Sequence, residues 1–184
     1  MTTPSSFSQY SILTPPTTLS ASAAGSKLTE PQQLLVASVL DLFAGHPSKR
    51  KLTLWTDTAS FHDPLTNATG RKQFEAQWYG LKTAFSEIER LGCEVKSGGN
   101  PIELGLKTRY KVKGIGSEQT IESQILIHTT GSDSDMRITK VEDKWDGEIK
   151  DGPIKNALRE LNSKTVPVMV KVPASVEEEE RGSK

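Results

Sequence analysis

Residues 55–70, WTDTASFHDPLTNATG, place His62, Asp63 and Pro64 in a row, and Asp63 is the residue whose chemistry needs explaining. Pro64 disfavours a helical conformation at the preceding residue, so this stretch predicts a short extended strand that turns after Asp63. A carboxylate there could act as a base if apolar surroundings raised its pKa. It could also simply cap the turn by accepting bonds from the following backbone amides. His62 points opposite to Asp63 in an extended segment, so we expect it outside any shared cavity.

Other reactive groups are sparse. Cys93 is the single cysteine, which excludes an intramolecular disulfide and a cysteine-based metal site. The three histidines do not have the spacing of a helical zinc motif. The glycine-containing run GIGSEQ lies between predicted strands, not between a strand and a helix, and so indicates a turn. We therefore expect neither a metal ion nor a cofactor.

The charge balance limits the classes of partner. The chain of 184 residues carries 23 basic and 23 acidic residues, and its formal net charge is zero. This balance argues against a nucleic acid or an anionic membrane as the main partner. The sequence contains no apolar run long enough to span a bilayer, and its start lacks the pattern of a secretory signal. These features predict a cytoplasmic protein.

Composition divides the chain into three parts. Residues 1–28 are rich in Ser, Thr and Pro and predict a flexible tail, since they offer few apolar groups to offset ordering entropy. Residues 29–165 hold the predicted domain. Residues 166–184 begin with VPVMVKVP, which predicts an extended strap that lies against the body or pairs with a second subunit. They end in an acidic run, EEEE, for which we expect a solvated tail.

Helix signals occupy the first half of the domain. Thr29 with Gln32 has capping-box spacing and predicts the start of the first helix. A second, short helix is expected from Ser48 and would carry Leu52 and Trp55. A third follows Gly70, and a last short helix is expected after the Gly-Pro pair at 152–153. The apolar face of the third helix is formed by Phe74, Trp78, Leu81 and Phe85.

Strand signals dominate from about residue 87. In residues 107–113 the alternation is sharp, with Thr108, Tyr110 and Val112 on one face and only basic side chains on the other. This pattern predicts an antiparallel sheet with one solvent-exposed face. Helices followed by a run of strands predict an α+β domain in which helices pack on one face of a curved sheet. Such a fold leaves a conical space suited to a small molecule.

The stretches LWTDTASFHDPLTNATGRKQFEAQWYGL and MRITKVEDKWDG resemble the nuclear transport factor 2-like superfamily, over about residues 30–148. Ketosteroid isomerase, scytalone dehydratase and polyketide cyclases belong to that superfamily. The resemblance implies a cone-shaped, curved antiparallel sheet with three helices packed on its concave face. It also implies a homodimer that forms through the outer face of the sheet. Catalytic and non-catalytic members share the pattern, so the resemblance does not imply one activity.

The resemblance suggests roles for particular residues. Asp63 matches the aspartate that acts as the base in ketosteroid isomerase. That enzyme also places a tyrosine on its first helix, where this chain has Val39. His128 lies near the position of the family's second acid, so His128 or Tyr79 is the expected donor to a developing oxyanion. The residues expected to line the pocket are Trp55, Phe74, Trp78, Tyr110, Asp143 and Trp145.

Alternatives stay open for two of these residues and for the function. Trp78 fits core packing as well as a cavity wall, and Tyr79 fits a surface as well as a pocket. The first functional hypothesis is a domain that binds a small apolar molecule, as an isomerase or lyase acting on an apolar carbonyl compound with Asp63 as base. The second is a non-catalytic, dimeric protein-interaction module of the same fold. The third is a scaffold in which the tails carry the function.

Overall fold

A computed structural model describes residues 28–147, 149, 151–161 and 170–182. The predicted tail, residues 1–28, lies outside the described residues except for Leu28, which is buried. The first half of the VPVMVKVP strap lies outside them as well. None of the helices in the described ranges is both long and apolar enough to cross a lipid bilayer.

The domain alternates helices and strands early and then runs through a set of hairpins. The described helices are α1 (Glu30–Phe43), α2 (Lys49–Leu52), α3 (Arg71–Ala84), α4 (Pro153–Leu161) and α5 (Val176–Gly182). The strands are β1 (Trp55–His62), β2 (Asn67–Thr69), β3 (Phe85–Ser97), β4 (Ile102–Val112), β5 (Glu118–Thr130) and β6 (Arg137–Trp145).

The six strands form one curved sheet in the order β2-β1-β6-β5-β4-β3. Neighbouring strands are antiparallel except β1 and β6, which run parallel with Phe61 opposite Val141. The predicted α+β class with helices on the concave face of a curved sheet is confirmed, and the parallel pair is a local exception to it. That pair matters because it places the residues after β1 beside the end of β6.

Local sequence explains where the first helices begin. The Thr29 side chain accepts a bond from the Gln32 backbone while the Gln32 side chain accepts from the Thr29 amide, so the predicted capping box forms. Ser48 caps α2. The expectation that Trp55 belongs to this second helix is wrong, because α2 ends at Leu52 and Trp55 begins β1 opposite Ile138. Aromatic and β-branched residues in 55–58 favour the strand.

The core lies between the concave face of the sheet and the helices. Ile125, Ile127 and Val141 are fully buried there. Along β4 burial alternates as predicted, with Thr108 and Tyr110 facing the core. The apolar side of α4 is buried against the same core through Ile154, Leu158 and Leu161. The helix α4 therefore closes one side of the cone.

The acidic run near the end of the chain is not a free tail. Residues 176–182 form α5, which contacts α2 and the side of α3 through its glutamates. None of its residues is buried, so the acidic run is exposed to solvent as expected, but it forms a helix that contacts the domain. The physical reason for this contact is charge complementarity, because N–H and hydroxyl groups of α2 and α3 donate hydrogen bonds to the carboxylates of α5.

Candidate functional site

A cavity of about 30 Å³ lies inside the cone. It is large enough for a water molecule but far below the roughly 300–1,000 Å³ of ordinary ligand pockets. The cone is therefore mostly filled by its own side chains. The cavity is lined by Phe43, Phe61, Asp63, Gln77, Trp78, Leu81, Tyr110, Ile121, Asp143, Trp145 and Leu158.

Asp143 is the most unusual group in this cavity. It lies on the core face of β6 and is only 7% exposed. Its Oδ2 accepts a bond of 2.9 Å from the Trp145 indole nitrogen, whereas its buried Oδ1 has no hydrogen-bond partner among the described residues. Burial raises the pKa of Asp143 to about 7, although the side chains of Trp145 and Ser123 favour its charged form. Near neutral pH this carboxyl group is therefore poised between its two protonation states.

Asp63 caps the turn that follows β1 and also faces the cavity. Its Oδ1 accepts bonds from the backbone amides of Leu65 and Thr66 at 2.7 and 2.6 Å. Its Oδ2 accepts one bond of 2.8 Å from the Thr66 hydroxyl. The turn-capping interpretation is thus confirmed. Burial raises the pKa of Asp63, while these three bonds oppose that rise because they favour the carboxylate.

The two acids form a pair because β1 and β6 are parallel neighbours. Phe61 pairs with Val141 and His62 with Glu142, so the next inward position on each strand places Asp63 beside Asp143. The negative charge of Asp63 contributes to the raised pKa of Asp143. Tyr110 lines the same cavity, and its pKa is raised by burial and then by the charge of Asp143. Two carboxyls and a neutral phenol thus share one apolar enclosure.

The structure places five of the nine expected site residues around the cavity, namely Asp63, Trp78, Tyr110, Asp143 and Trp145. Trp55 and Phe74 are not among its walls. They stack on each other with ring centroids 5.1 Å apart, one layer away in the core. Trp78 serves both purposes, since its ring packs 4.7 Å from that of Phe61 and also lines the cavity.

His128 is on the wrong face for the role expected of it. It alternates with the fully buried Ile127 and so projects from the outer face of the sheet. Its Nε2 lies 2.7 Å from Glu142 Oε2, and Glu142 also binds Lys140. The sheet separates His128 from Asp63. The expectation that His128 assists Asp63 is therefore wrong.

Tyr79 also points away from the cavity. Its hydroxyl donates to Glu179 Oε1 of α5 at 2.5 Å. Adjacent helical residues project about 100° apart, so with Trp78 facing the cavity its neighbour faces elsewhere. The surface interpretation of Tyr79 is the correct one, and the expectation of a catalytic Tyr79 is wrong.

Sequence reasoning treated Asp143 as a wall residue and missed its place beside Asp63. A signal was present, because Val141, Asp143 and Trp145 alternate on one face of the last strand. An acid among inward residues is a candidate for a raised pKa. No group of three or more metal-ligating side chains occurs within the described ranges.

Comparisons with solved structures show the same fold at low sequence identity. A steroid delta-isomerase from Pseudomonas aeruginosa superposes with a TM-score of 0.54 at 16% identity, over 77% of this chain and 96% of that chain. A protein of unknown function from Mycobacterium tuberculosis gives a TM-score of 0.52 at 10% identity, over 77% and 89% of the two chains. The nuclear transport factor 2-like fold is confirmed, and at these identities the likeness shows the fold alone. The sequence matches no protein-family model and no curated protein.

Proposed function

We propose that the cone binds a small apolar carbonyl compound and that Asp63 and Asp143 catalyse proton transfer on it. The observation that carries this proposal is the buried Asp143 Oδ1, which has no described hydrogen-bond partner in a cavity shared with Asp63. An unsatisfied buried polar group costs about 1–3 kcal/mol. A ligand that hydrogen-bonds to Asp143 would remove that cost, so the site favours one with a polar atom at this point.

We infer the roles of the two acids from their environments. Three hydrogen bonds favour the carboxylate of Asp63, and Oδ2 carries only one of them, so Oδ2 can accept a proton from carbon. Asp143, whose pKa is raised by burial to about 7, supplies the protonated carboxyl. Two carboxyl groups in different surroundings commonly divide the acid and base roles in this way.

The reaction begins with removal of a proton from the carbon next to the carbonyl. The electron pair of that C–H bond moves into the carbonyl group, and the oxygen becomes an enolate stabilised by a bond from protonated Asp143. In a carbonyl compound with a β,γ double bond, the electrons of the extended enolate take the proton from Asp63 at the γ-carbon, and the double bond moves into conjugation, which completes an isomerisation. In a compound with a leaving group on the β-carbon, the enolate electrons form the Cα–Cβ double bond, and the group leaves with its bonding electron pair and takes the proton from Asp63, which completes an elimination, the lyase reaction. Both outcomes share the same first step.

Ligand entry requires the cone to open. A cavity of about 30 Å³ cannot hold a carbonyl compound of several carbons while α4 keeps Leu158 in its wall. The helix α4 is amphipathic and is buried through a few apolar side chains. We therefore expect α4 to be the part of the cavity wall that moves when a ligand enters. We propose that binding displaces α4 together with Leu158 and that the ligand then packs against the apolar surface of Phe61 and Trp78.

Hydrogen exchange at carbon tests the shared first step. Cyclohexanone in D₂O would be followed by NMR with wild type, Asp63→Ala, Asp143→Ala and the outer-face control His128→Ala. We expect wild type and His128→Ala to accelerate loss of the α-hydrogens equally, and each aspartate variant to lose most of the acceleration. No acceleration by wild type across a series of small ketones, or full activity in either aspartate variant, would contradict the proposal.

A second candidate function is a non-catalytic dimeric module that interacts through the outer face of the sheet. The small cavity and the turn-capping bonds of Asp63 support it. The outer face carries charges of both signs, as in the Lys107–Glu122 and Arg109–Glu87 pairs, which a second copy could match. Light scattering at low and high salt tests this candidate, which predicts a dimer that weakens at high salt. A monomer at low salt would exclude it.

A further inference from the structure

The C-terminal helix α5 is held on the domain by carboxylates. Glu179 Oε2 accepts the backbone N–H of Lys49 at 2.9 Å, and Glu179 Oε1 accepts the Tyr79 hydroxyl. Glu180 Oε1 accepts the Nε of Arg50 at 2.9 Å. We call the surface formed by Lys49, Arg50 and Tyr79 the acid dock. It lies outside the cavity and uses none of the residues assigned to proton transfer.

Contacts within the domain also hold the residues of the acid dock. Lys49 Nζ binds the buried Glu75 at 2.7 Å, and Glu75 also binds Arg71 at 3.1 Å. These contacts fix the backbone at Lys49 and neutralise its side chain within the domain. Tyr79 is anchored on α3 beside the buried Trp78. A preorganised surface loses less freedom when it binds a ligand.

Polar contacts hold the occupant on the domain. None of the residues of α5 is buried, so it contributes no apolar core to the docking. The Arg50 and Glu180 side chains are 52% and 55% exposed, and such exposed pairs contribute about 0–1 kcal/mol. The Glu179 contacts are better shielded, because Tyr79 is partly buried. The docking of α5 is therefore specific in its pattern but easily reversed.

We propose that the acid dock is a binding site for acidic helical peptides, which α5 occupies in cis and which an acidic helix of another protein can occupy by displacing it. The acid dock recognises two adjacent glutamates. The first accepts hydrogen bonds from the Tyr79 hydroxyl and the Lys49 amide, and the second accepts from the Arg50 side chain. The helix α5 competes through its high local concentration, since the chain tethers it to the domain. A partner therefore binds measurably only when the α5 contacts are weakened or the partner is abundant.

A labelled peptide with the sequence ASVEEEERG, that of residues 174–182, tests this site on the full chain. Its fluorescence anisotropy would be measured with wild type and with a tail variant, Glu179→Gln with Glu180→Gln. We expect at least about tenfold tighter binding to the tail variant, because the tethered competitor has been weakened. In the ¹⁵N spectrum of the tail variant, the Lys49 amide signal should move as the peptide is added.

The matched control removes the dock in the same background. Adding Arg50→Gln and Tyr79→Phe to the tail variant should abolish peptide binding, while a dispersed NMR spectrum shows that the variant is folded. The peptide ASVQQQQRG should not bind the tail variant. The proposal is overturned if wild type and the tail variant bind alike, if neither binds, or if binding survives loss of the dock or of the peptide's glutamates.

Discussion

Asp63, which directly follows β1, and Asp143, which lies on the parallel neighbour β6, both face one buried cavity. The two carboxyl groups differ in their hydrogen bonds, and these bonds influence their protonation. Asp63 receives three hydrogen bonds from the turn that it caps. Asp143 keeps one oxygen without a described partner and has a pKa raised to about 7. The pair can therefore hold one charge and one proton near neutral pH, which is the condition for paired acid and base chemistry.

Asp143 should make the protein less stable as the pH rises. In the folded chain its pKa is about 7, against an ordinary value of 3.8. Between these values the folded state binds a proton that the unfolded state has lost, so the free energy of unfolding falls with rising pH. Asp143→Asn removes this dependence and should stabilise the protein at pH 8 by about 1–3 kcal/mol. Urea unfolding from pH 4 to 8 measures the difference.

The exposed Asp135→Asn is the matched control for that experiment. It should leave the pH dependence of wild type unchanged. A wild-type curve parallel to that of Asp143→Asn would mean that Asp143 titrates at its ordinary value in the folded protein.

Asp63 should contribute to stability through its turn. Asp63→Ala removes three bonds and leaves the Leu65 and Thr66 amides without their acceptor, so we expect a loss of about 2–3 kcal/mol. Asp63→Asn keeps an oxygen for both amides and should lose about 1 kcal/mol. Chemical denaturation compares the two variants. Equal losses would show that the backbone bonds do not hold the turn.

Leu158 should control access to the cone. Leu158→Ala enlarges the cavity and should lower the free energy of unfolding by about 2–4 kcal/mol. It should also increase saturable binding of an apolar fluorescent dye to the folded protein. Leu161→Ala is the control, because Leu161 is equally buried on the same helix but is not a wall of the cavity. Both variants should lose stability, but only Leu158→Ala should bind more dye. Equal dye binding by the two variants would show that Leu158 does not control access to the cavity.

Proton exchange at carbon should depend on pH in a defined direction. The protonated Asp143 is the form that donates to the enolate, so activity should fall as the pH rises through about 7. Asp143→Asn retains an N–H donor and should exchange more slowly, by about 10²-fold, but without a decline above pH 7. An exchange rate that keeps rising to pH 9 in wild type would assign the donor role to another group.

Much of the fold could be predicted because it follows from local patterns. The Thr29 and Gln32 pair marked the start of α1, and alternation in residues 107–113 marked the inner and outer faces of β4. Trp55 was misassigned because a short helix and a strand meet within a few residues. The three-residue strand β2 was not predicted, since it exists only through pairing with β1.

The candidate site was only partly predictable, because it depends on which face of each element is inward. The alternation of His128 with its neighbours was predicted, but the inner face is the one that carries Ile125 and Ile127. The rotation of α3 that buries Trp78 sends Tyr79 outward. Docking of α5 joins Glu180 to Arg50 across 130 residues of sequence, a relationship that no local pattern contains.

The central claim is that Asp143, beside Asp63, has a pKa raised to about 7, and carbon-13 NMR of the Asp side-chain carboxyls tests it most directly. The Asp143 signal would be assigned by comparison with Asp143→Asn and followed through a pH titration. We predict a midpoint near pH 7 in wild type and a lower one in Asp63→Asn, where the neighbouring charge is gone. A midpoint near pH 4 in wild type, unchanged by Asp63→Asn, would contradict the account.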